Sequence, residues 1–210
     1  QSKNGLRMYH GTVISDFPAH PHRGFETVTI AKKGLVDHSD SLGAVDRFGN
    51  GDVNWMTAGK GVQHCEMFPL INTSKNNPLL IFQIWINLPK AKKMCAPHFS
   101  MLWSEKIPKY IPHDDQNKKT KVTVIAGKLF RTKGLPPAPD SWANNPENGV
   151  SIWALEMEPG AQWMLPDHGA DLSRTLYYFQ GKNVELENKK VLPNHLFKMV
   201  SDQPLRITNG

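Results

Sequence analysis

Short runs of alternating polar and apolar residues, separated by glycine and proline, limit the fold of this 210-residue chain more than any other feature. Residues 27–30, Thr-Val-Thr-Ile, alternate in this way, and the run ends at residues 32–34, Lys-Lys-Gly. A period of two is typical of a β-strand with one buried face, whereas the three- or four-residue repeats of helices are weak throughout. The 16 glycines and 16 prolines favour many short strands joined by turns. We therefore predict an all-β fold.

The strand-like segments form two blocks with a proline-rich stretch between them. After the apolar strand at residues 79–88, four prolines lie among charged residues before a strand-like pattern resumes at residue 121. The second block resembles a weaker copy of the first, with a strand, a turn, a loop that contains His168 and an aromatic strand. We predict an N-terminal barrel with the functional site over 1–88, a connector over 89–120, and a degenerate, incomplete C-terminal barrel over 121–210.

Charge and cysteine content exclude several classes of protein. The formal net charge of +6 arises from basic residues scattered among acidic ones, and the lysine clusters at 90–93 and 118–121 are typical of solvated surfaces. We expect no direct nucleic-acid binding. The two cysteines are too few for a disulfide framework and suit a reducing compartment. The most apolar run, 79–88, is too short for a membrane span. We expect a cytoplasmic monomer with no membrane partner, or a nuclear one if the source is eukaryotic.

Two pairs of metal-binding residue types, each spaced two residues apart, predict a metal centre. His20 and His22 project to the same face of a strand, and His64 and Glu66 repeat this spacing later in the chain. Either pair alone is more often structural, but glycine turns before the second pair strengthen the combination. Three imidazoles and a carboxylate suit Fe(II), Mn(II), Ni(II), Cu(II) or Zn(II), and the lack of a thiolate disfavours a closed structural zinc site. On an octahedral ion these four ligands leave two open positions.

The same alternation, continued beyond His22, predicts which residues share the face of the histidines. It assigns Glu26, Val28 and Ile30 to that face, and Thr27 and Thr29 to the opposite face. We therefore expect the interior of the first barrel to be apolar beyond the metal centre.

Several segments resemble the pirin family of bicupins. They are residues 20–29 (HPHRGFETVT), 37–41 (DHSDS) and 51–66 (GDVNWMTAGKGVQHCE), together with 84–89 (IWINLP). The resemblance is strong from residue 11 to about residue 89 and loose beyond. It implies two antiparallel jelly-roll β-barrels that face each other. Relative to the family, the chain begins close to the first barrel's motif and ends within the second barrel, so we expect a fragment of a longer protein.

The resemblance also implies one metal ion in the N-terminal barrel, held by His20, His22, His64 and Glu66. We expect Fe(II) first, with Mn, Ni, Cu, Co or Zn as alternatives. A glutamate placed like Glu26 is a ligand in many other cupins, whereas pirin-like proteins use the carboxylate two residues after the last histidine. We therefore predict that Glu26 orients a ligand imidazole. His38 and Met56 are predicted to border the pocket.

Two functions follow from this resemblance. The first is a metal-dependent dioxygenase like the quercetinases found among pirin-like proteins, which opens the ring of a flavonol such as quercetin with O2 and releases carbon monoxide. In this hypothesis Glu66 is both a ligand and a base. The alternative is an iron-binding, redox-sensitive regulatory protein that engages a protein partner, as a transcription co-regulator does. An accessible, apolar-lined path to the metal would favour the enzyme, and a closed pocket beside a basic patch would favour the regulator.

Overall fold

Antiparallel strands dominate the computed structural model, which describes the backbone of residues 2–3, 6–7 and 15–210 and the side chains from residue 16 onward. Every pair of strands in this part of the chain is antiparallel, and the helical segments are two three-residue 3₁₀ helices, at Trp142–Asn144 and Pro146–Asn148. The predicted all-β fold is confirmed. Within the same residues, no helix has the length and apolar character that a membrane span requires.

Close contacts between Cα atoms divide the chain into two compact units. Unit 1 comprises residues 1–106 and 136–144, and unit 2 comprises residues 107–135 and 145–210. The segment 136–144 thus belongs with the N-terminal unit although it follows the first strands of unit 2. The predicted limits at residues 88 and 120 stay a prediction.

Unit 1 contains two four-stranded sheets and a short hairpin. One sheet has the strand order β3-β8-β5-β6, the other has the order β10-β7-β4-β9, and β1 pairs with β2. The strands are β1 (Ser2–Lys3), β2 (Leu6–Arg7), β3 (Ser15–His22), β4 (Phe25–Lys33), β5 (Leu35–Asp40), β6 (Val45–Gly49), β7 (Val53–Thr57), β8 (Val62–Phe68), β9 (Leu80–Asn87) and β10 (His98–Leu102).

The two large sheets of unit 1 pack face to face around an apolar core. Buried Val36, Phe48 and Phe68 of the first sheet pack with Ala31 of the second, and Met101 closes this end. Because directly paired residues of antiparallel strands project to the same side, the strand register identifies the inner face of each sheet. The inner face of β8 carries His64 and Glu66, and the inner face of β4 carries its odd-numbered residues.

The predicted face for Glu26 is therefore wrong. The alternation does not continue through the turn between β3 and β4, where Gly24 has a positive φ of 75° that resets the direction of the side chains. Thr27 and Thr29 face the interior with the histidines, while Glu26 and Val28 project to the other side of the sheet. The interior beyond the histidines is consequently more polar than expected.

Two glycine turns fix the ends of the strands that carry the histidines. The backbone N–H of Gly24 donates to the carbonyl of Gly59 at 2.8 Å, which joins the β3–β4 turn to the β7–β8 turn. A Cβ atom on Gly59 would lie 2.2 Å from the carbonyl oxygen of Cys95, so only glycine fits there without a backbone shift. This contact places the start of β8 close to the end of β3.

Glu26 anchors the segment 136–144 to unit 1. Its Oε1 accepts hydrogen bonds from Trp55 Nε1 at 3.1 Å and Thr57 Oγ1 at 2.7 Å. Its Oε2 accepts from Ser141 Oγ at 3.0 Å and from the backbone N–H of Trp142 at 3.1 Å. None of these donors is an imidazole, so the expected role of Glu26 in orienting a metal ligand is replaced by a structural one.

Unit 2 is a second all-β body with its own core. Its sheets have the orders β11-β12-β15, β13-β14, β16-β21-β18-β19 and β17-β20. Buried Val122, Val124, Trp163 and Ile207 belong to one apolar cluster. The strands are β11 (Lys109–Tyr110), β12 (Thr120–Ala126), β13 (Lys128–Leu129), β14 (Thr132–Lys133), β15 (Ile152–Met157), β16 (Gln162–Leu165), β17 (Arg174–Tyr178), β18 (Val184–Leu186), β19 (Lys189–Val191), β20 (His195–Met199) and β21 (Leu205–Asn209).

In neither unit do the strand pairs of the described residues close into a continuous hydrogen-bonded barrel. The antiparallel all-β architecture is therefore established, whereas two closed barrels that face each other stay a prediction.

Replacing Glu26 with Gln should destabilise unit 1 by about 2–3 kcal/mol. A glutamine amide has one acceptor oxygen, so in either orientation its NH2 group faces a fixed donor, the indole of Trp55 or the backbone N–H of Trp142. Urea unfolding followed by tryptophan fluorescence measures the loss. The exposed Glu105 provides a matched control, since Glu105→Gln should leave the midpoint nearly unchanged. Equal midpoints for the two variants would contradict the anchoring role of Glu26.

Candidate metal centre

Three histidines of unit 1 bring their ring nitrogens together. His20 on β3 pairs directly with His64 on β8, and His22 lies two residues further along β3 on the same face. The Nε2 atom of His20 lies 3.0 Å from Nε2 of His64 and 3.2 Å from Nε2 of His22. One nitrogen from each ring lies within 4.8 Å of the others, and among the described residues no other set of three metal-binding side chains was found.

A strand irregularity helps to build this cluster. The pairing of β3 with β8 shifts between Phe17 and His20, so Glu66 lies opposite Phe17 while His64 lies opposite His20. Such bulges redirect side chains and are frequent beside functional sites. The predicted sharing of one face within each pair is what the register shows.

The spacing of the nitrogens fits a transition-metal ion. Two nitrogens bound at right angles to one ion, each at about 2.1 Å, lie about 3.0 Å apart. The Nδ1 of His20 donates to the carbonyl of Pro18 at 2.7 Å, so in the neutral ring its Nε2 carries the lone pair. That lone pair points towards the other two rings, and a cation between the rings satisfies it. The donor set therefore fits a metal.

Glu66 supplies a buried carboxylate beside the three histidines. It is 1% exposed, and its Oε1 has no hydrogen-bond partner among the described residues. Burial raises the pKa of Glu66, and the hydrogen bond from Gln83 opposes this shift. The carboxylate is not within the 4.8 Å group formed by the imidazoles. A buried oxygen without a partner is costly unless it meets a proton or a cation.

Gln83 connects Glu66 to the facing sheet. Its Nε2 donates to Glu66 Oε2 at 3.3 Å and to Thr29 Oγ1 at 3.2 Å. The indole Nε1 of Trp85, which can only donate, bonds Gln83 Oε1 at 2.8 Å and so determines which end of the amide faces Glu66. Sequence reasoning assigned no role to Gln83, although a glutamine inside an otherwise apolar strand was the available signal.

The histidines of this cluster favour their neutral forms. Burial is the main cause that lowers the pKa of His64 to about 3, with further lowering from His22, His38 and His20. Burial first, and His20 second, also lowers the pKa of His22. A ring that stays neutral keeps a lone pair for a metal at physiological pH.

The cluster is accessible from one side. His22 and His64 are 7% and 3% exposed, whereas His20 is only half-buried. Aromatic rings surround this opening. Phe17 is 45% exposed with its ring 6.5 Å from His20, and Trp85 is 62% exposed with its ring 5.8 Å from His22. A small apolar molecule can therefore reach the nitrogens without crossing the core.

The structure also places the remaining predicted pocket residues. His38 on β5 pairs with Glu66 and lies with its Nδ1 3.4 Å from Nδ1 of His64. Met56 is fully buried on the inner face of β7, where it pairs with Thr27. Their roles in a pocket stay predictions, and Glu26 lies on the opposite face of its sheet, as described above.

Comparison with known proteins agrees with this geometry. The sequence pattern of the family described as Pirin matches residues 2–86. Mouse pirin (Mus musculus) is 32% identical over 215 residues, an alignment that covers 94% of this chain and 70% of mouse pirin. The chain belongs to the pirin family.

Solved structures of relatives have the same fold as this pirin-family chain. A crystal structure of quercetin 2,3-dioxygenase from Acinetobacter baumannii has a TM-score of 0.78 and 27% identity, and the match covers 95% of this chain and 65% of that one. The bacterial pirin YhhW from Escherichia coli, in complex with nickel(II), has a TM-score of 0.57 and 18% identity, over 93% and 76% of the two chains. The pirin chain described here thus corresponds to only part of each relative.

The buried histidines predict that the metal-free pirin chain loses stability in mild acid. His64 titrates near 6.5 when unfolded but at about 3 when folded, so between these values the unfolded state binds more protons and stability falls as the pH falls. At about pH 5.5 each histidine kept neutral costs about 1.4 kcal/mol relative to pH 7.5. The raised pKa of Glu66 acts in the opposite direction, since the native state takes up that proton first.

Urea unfolding of metal-free protein at pH 7.5 and 5.5 measures this effect. We expect His64→Asn to reduce the loss of stability on acidification, whereas the same change at the exposed His98 should not. An unchanged pH dependence in His64→Asn would show that His64 is protonated in the native state.

Proposed function

We propose that this chain carries the metal centre of a pirin-type dioxygenase that opens a flavonol such as quercetin with O2. The observation that carries this proposal is the convergence of three neutral imidazoles at a place open to small molecules. The similarity to a quercetin 2,3-dioxygenase at 27% identity supports the same substrate class.

In this proposal His20, His22 and His64 hold one divalent transition metal, and Glu66 is the fourth ligand. Fe(II) is our first assignment, since imidazole and carboxylate ligands with open positions suit it, and Mn, Ni, Cu, Co and Zn are compatible with the same donors. Glu66 lies on the same face of β8 as His64, so a change of its side-chain torsions would bring the unpartnered Oε1 towards the ring nitrogens. The bound metal would supply a Lewis acid and a template for O2 and the substrate oxygens.

The side chains around the centre would bind and prepare the substrate. Glu66, whose pKa is raised by burial, is suited to accept the proton of a flavonol hydroxyl. Gln83 holds Oε2 of this carboxylate and leaves Oε1 for the proton. The rings of Phe17 and Trp85 offer apolar contacts to a planar aromatic molecule at the opening and would exclude water once it is bound.

The regulatory alternative uses the same ligands and stays a prediction. It requires a protein partner that distinguishes the redox states of the metal. The accessible aromatic opening beside His20 favours the enzyme over this alternative, because it offers a small molecule direct access to the nitrogens. Location in the cytoplasm or nucleus is part of both proposals, and the free thiols of Cys65 and Cys95 suit such a reducing compartment.

Elemental mass spectrometry combined with quercetin turnover tests the proposal. We expect about one metal ion per chain and O2-dependent loss of quercetin absorbance, both abolished by His64→Ala because a lost ligand leaves too few nitrogens. His98→Ala, which removes an exposed histidine of the same unit, should match the wild type. Metal that is lost in His64→Ala without turnover by any protein would favour the regulator, and a wild-type protein that binds no metal would exclude both functions.

Replacing Glu66 with Gln separates its two proposed roles. The amide oxygen can still bind a metal, but it cannot hold a proton at neutral pH. We therefore expect a loss of roughly tenfold in metal affinity and of roughly 10²-fold or more in kcat. Chelator competition measures the first quantity and steady-state kinetics of metal-saturated protein the second. Parallel losses in both quantities would leave Glu66 with a ligand role only.

A further inference from the structure

Behind the three histidines, two more buried polar side chains continue the hydrogen-bonded row. His38 and Asp40 lie two residues apart on β5, next to β8, and Asp40 pairs directly with His64. His38 Nε2 is 3.2 Å from Asp40 Oδ2, and His38 Nδ1 is 3.4 Å from His64 Nδ1. Both side chains are 0% exposed. The row therefore runs from Asp40 through His38 and His64 to the nitrogen of His20.

The order of donors and acceptors along this row follows from the carboxylate. An ionised carboxylate only accepts, so Nε2 of His38 must carry the hydrogen that faces Asp40. The other nitrogen of a neutral His38 is then an acceptor, and the ring nitrogen that faces it, Nδ1 of His64, must be the donor. His64 consequently keeps its lone pair on Nε2, the atom 3.0 Å from His20. The opposite order would place two lone pairs, or two N–H groups, against each other in a buried site.

The surroundings hold this row in place. Asp40 Oδ1 accepts from the backbone N–H groups of Leu42 and Ala44 at 2.8 and 3.1 Å, which fixes the carboxylate in the β5–β6 turn and leaves Oδ2 for His38. The ring of Phe99 packs against His38 with centroids 4.7 Å apart. The two oxygens of Asp40 thus have separate partners, one in the backbone and one in the row.

We infer that Asp40 and His38 are positioning residues that hold His64 in the Nδ1–H tautomer and so direct its Nε2 lone pair at the metal. The inference rests on the metal centre of the proposed function but concerns residues that are not themselves ligands. Partners that fix the tautomer of a ligand imidazole commonly change metal affinity by 10–100-fold. We expect an effect of this size here.

The substitution Asp40→Asn tests the inference with little change of shape. Its oxygen can keep the two backbone hydrogen bonds, while its NH2 group now faces His38 as a donor. His38 must then accept at Nε2 and donate at Nδ1, which forces His64 to carry its hydrogen on Nε2. An Asp-to-Asn change behind a catalytic histidine is known to fix the wrong tautomer in this way. Asp37→Asn is the matched control, since Asp37 lies on the same strand but pairs with Arg47 at the surface.

Two measurements decide the outcome. Heteronuclear NMR of ¹⁵N-labelled, metal-free protein reports which ring nitrogen of His64 carries hydrogen, with the signals assigned by their loss in His64→Gln. Competition with a chromophoric chelator gives the affinity for Zn(II). We expect hydrogen on Nδ1 in the wild type and in Asp37→Asn, but on Nε2 in Asp40→Asn, with Zn(II) affinity reduced 10–100-fold in that variant alone. Hydrogen on Nε2 in the wild type, or equal affinities for the two variants, would overturn the inference.

A second pair of variants keeps the test valid if Asp40→Asn does not fold. His38→Gln retains a carbonyl oxygen that can accept from His64, and we expect near wild-type Zn(II) affinity, whereas His38→Leu removes the acceptor and should lose affinity. Equal affinities in these two variants would also overturn the inference. Failure of the proposed metal centre is distinguishable, because a wild type with the expected tautomer that binds no metal would refute the centre but not the row.

Discussion

The direct pairing of His20 with His64 across β3 and β8 is the constraint on which the centre depends. In an antiparallel pair, opposed residues share a face and their Cβ atoms lie about 5 Å apart, close enough for two imidazoles to point their tips at one atom. A slip of one residue would turn every ligand of one strand away from the other. The shift in pairing after Phe17 and the joined glycine turns at Gly24 and Gly59 are local features that fix this register.

The same register creates a polar row inside an otherwise apolar sandwich. One end of the interior is filled by Phe48 and Phe68, and the other end holds imidazoles, a carboxylate and an amide. Burying such groups is unfavourable unless each has a partner, and most of them do. The exceptions, Oε1 of Glu66 and Oγ1 of Thr27, lie on the inner faces of the two opposed sheets. Groups without protein partners are therefore concentrated where a ligand would be bound.

Sequence patterns predicted the local part of this arrangement and missed the part that depends on the turns. Spacing within one strand was enough to place His20 with His22 and His64 with Glu66, because side-chain direction alternates along any strand. It failed for Glu26, since one positive-φ glycine separates it from the histidines and alternation cannot be carried through such a turn. Gln83 and Asp40 could not be assigned either, because their partners lie on other strands and only the register brings them together.

The contrast between Glu26 and Glu66 shows how burial alone fails to identify function. Both carboxylates are almost completely buried in unit 1, and in many other cupins a glutamate placed like Glu26 is a ligand. Glu26 accepts four hydrogen bonds, two at each oxygen, so its negative charge is already compensated and a cation would gain little from it. Glu66 accepts one long hydrogen bond at one oxygen and none at the other from the described residues. The uncompensated carboxylate is the one beside the imidazoles, which is where a metal ion would complete its coordination.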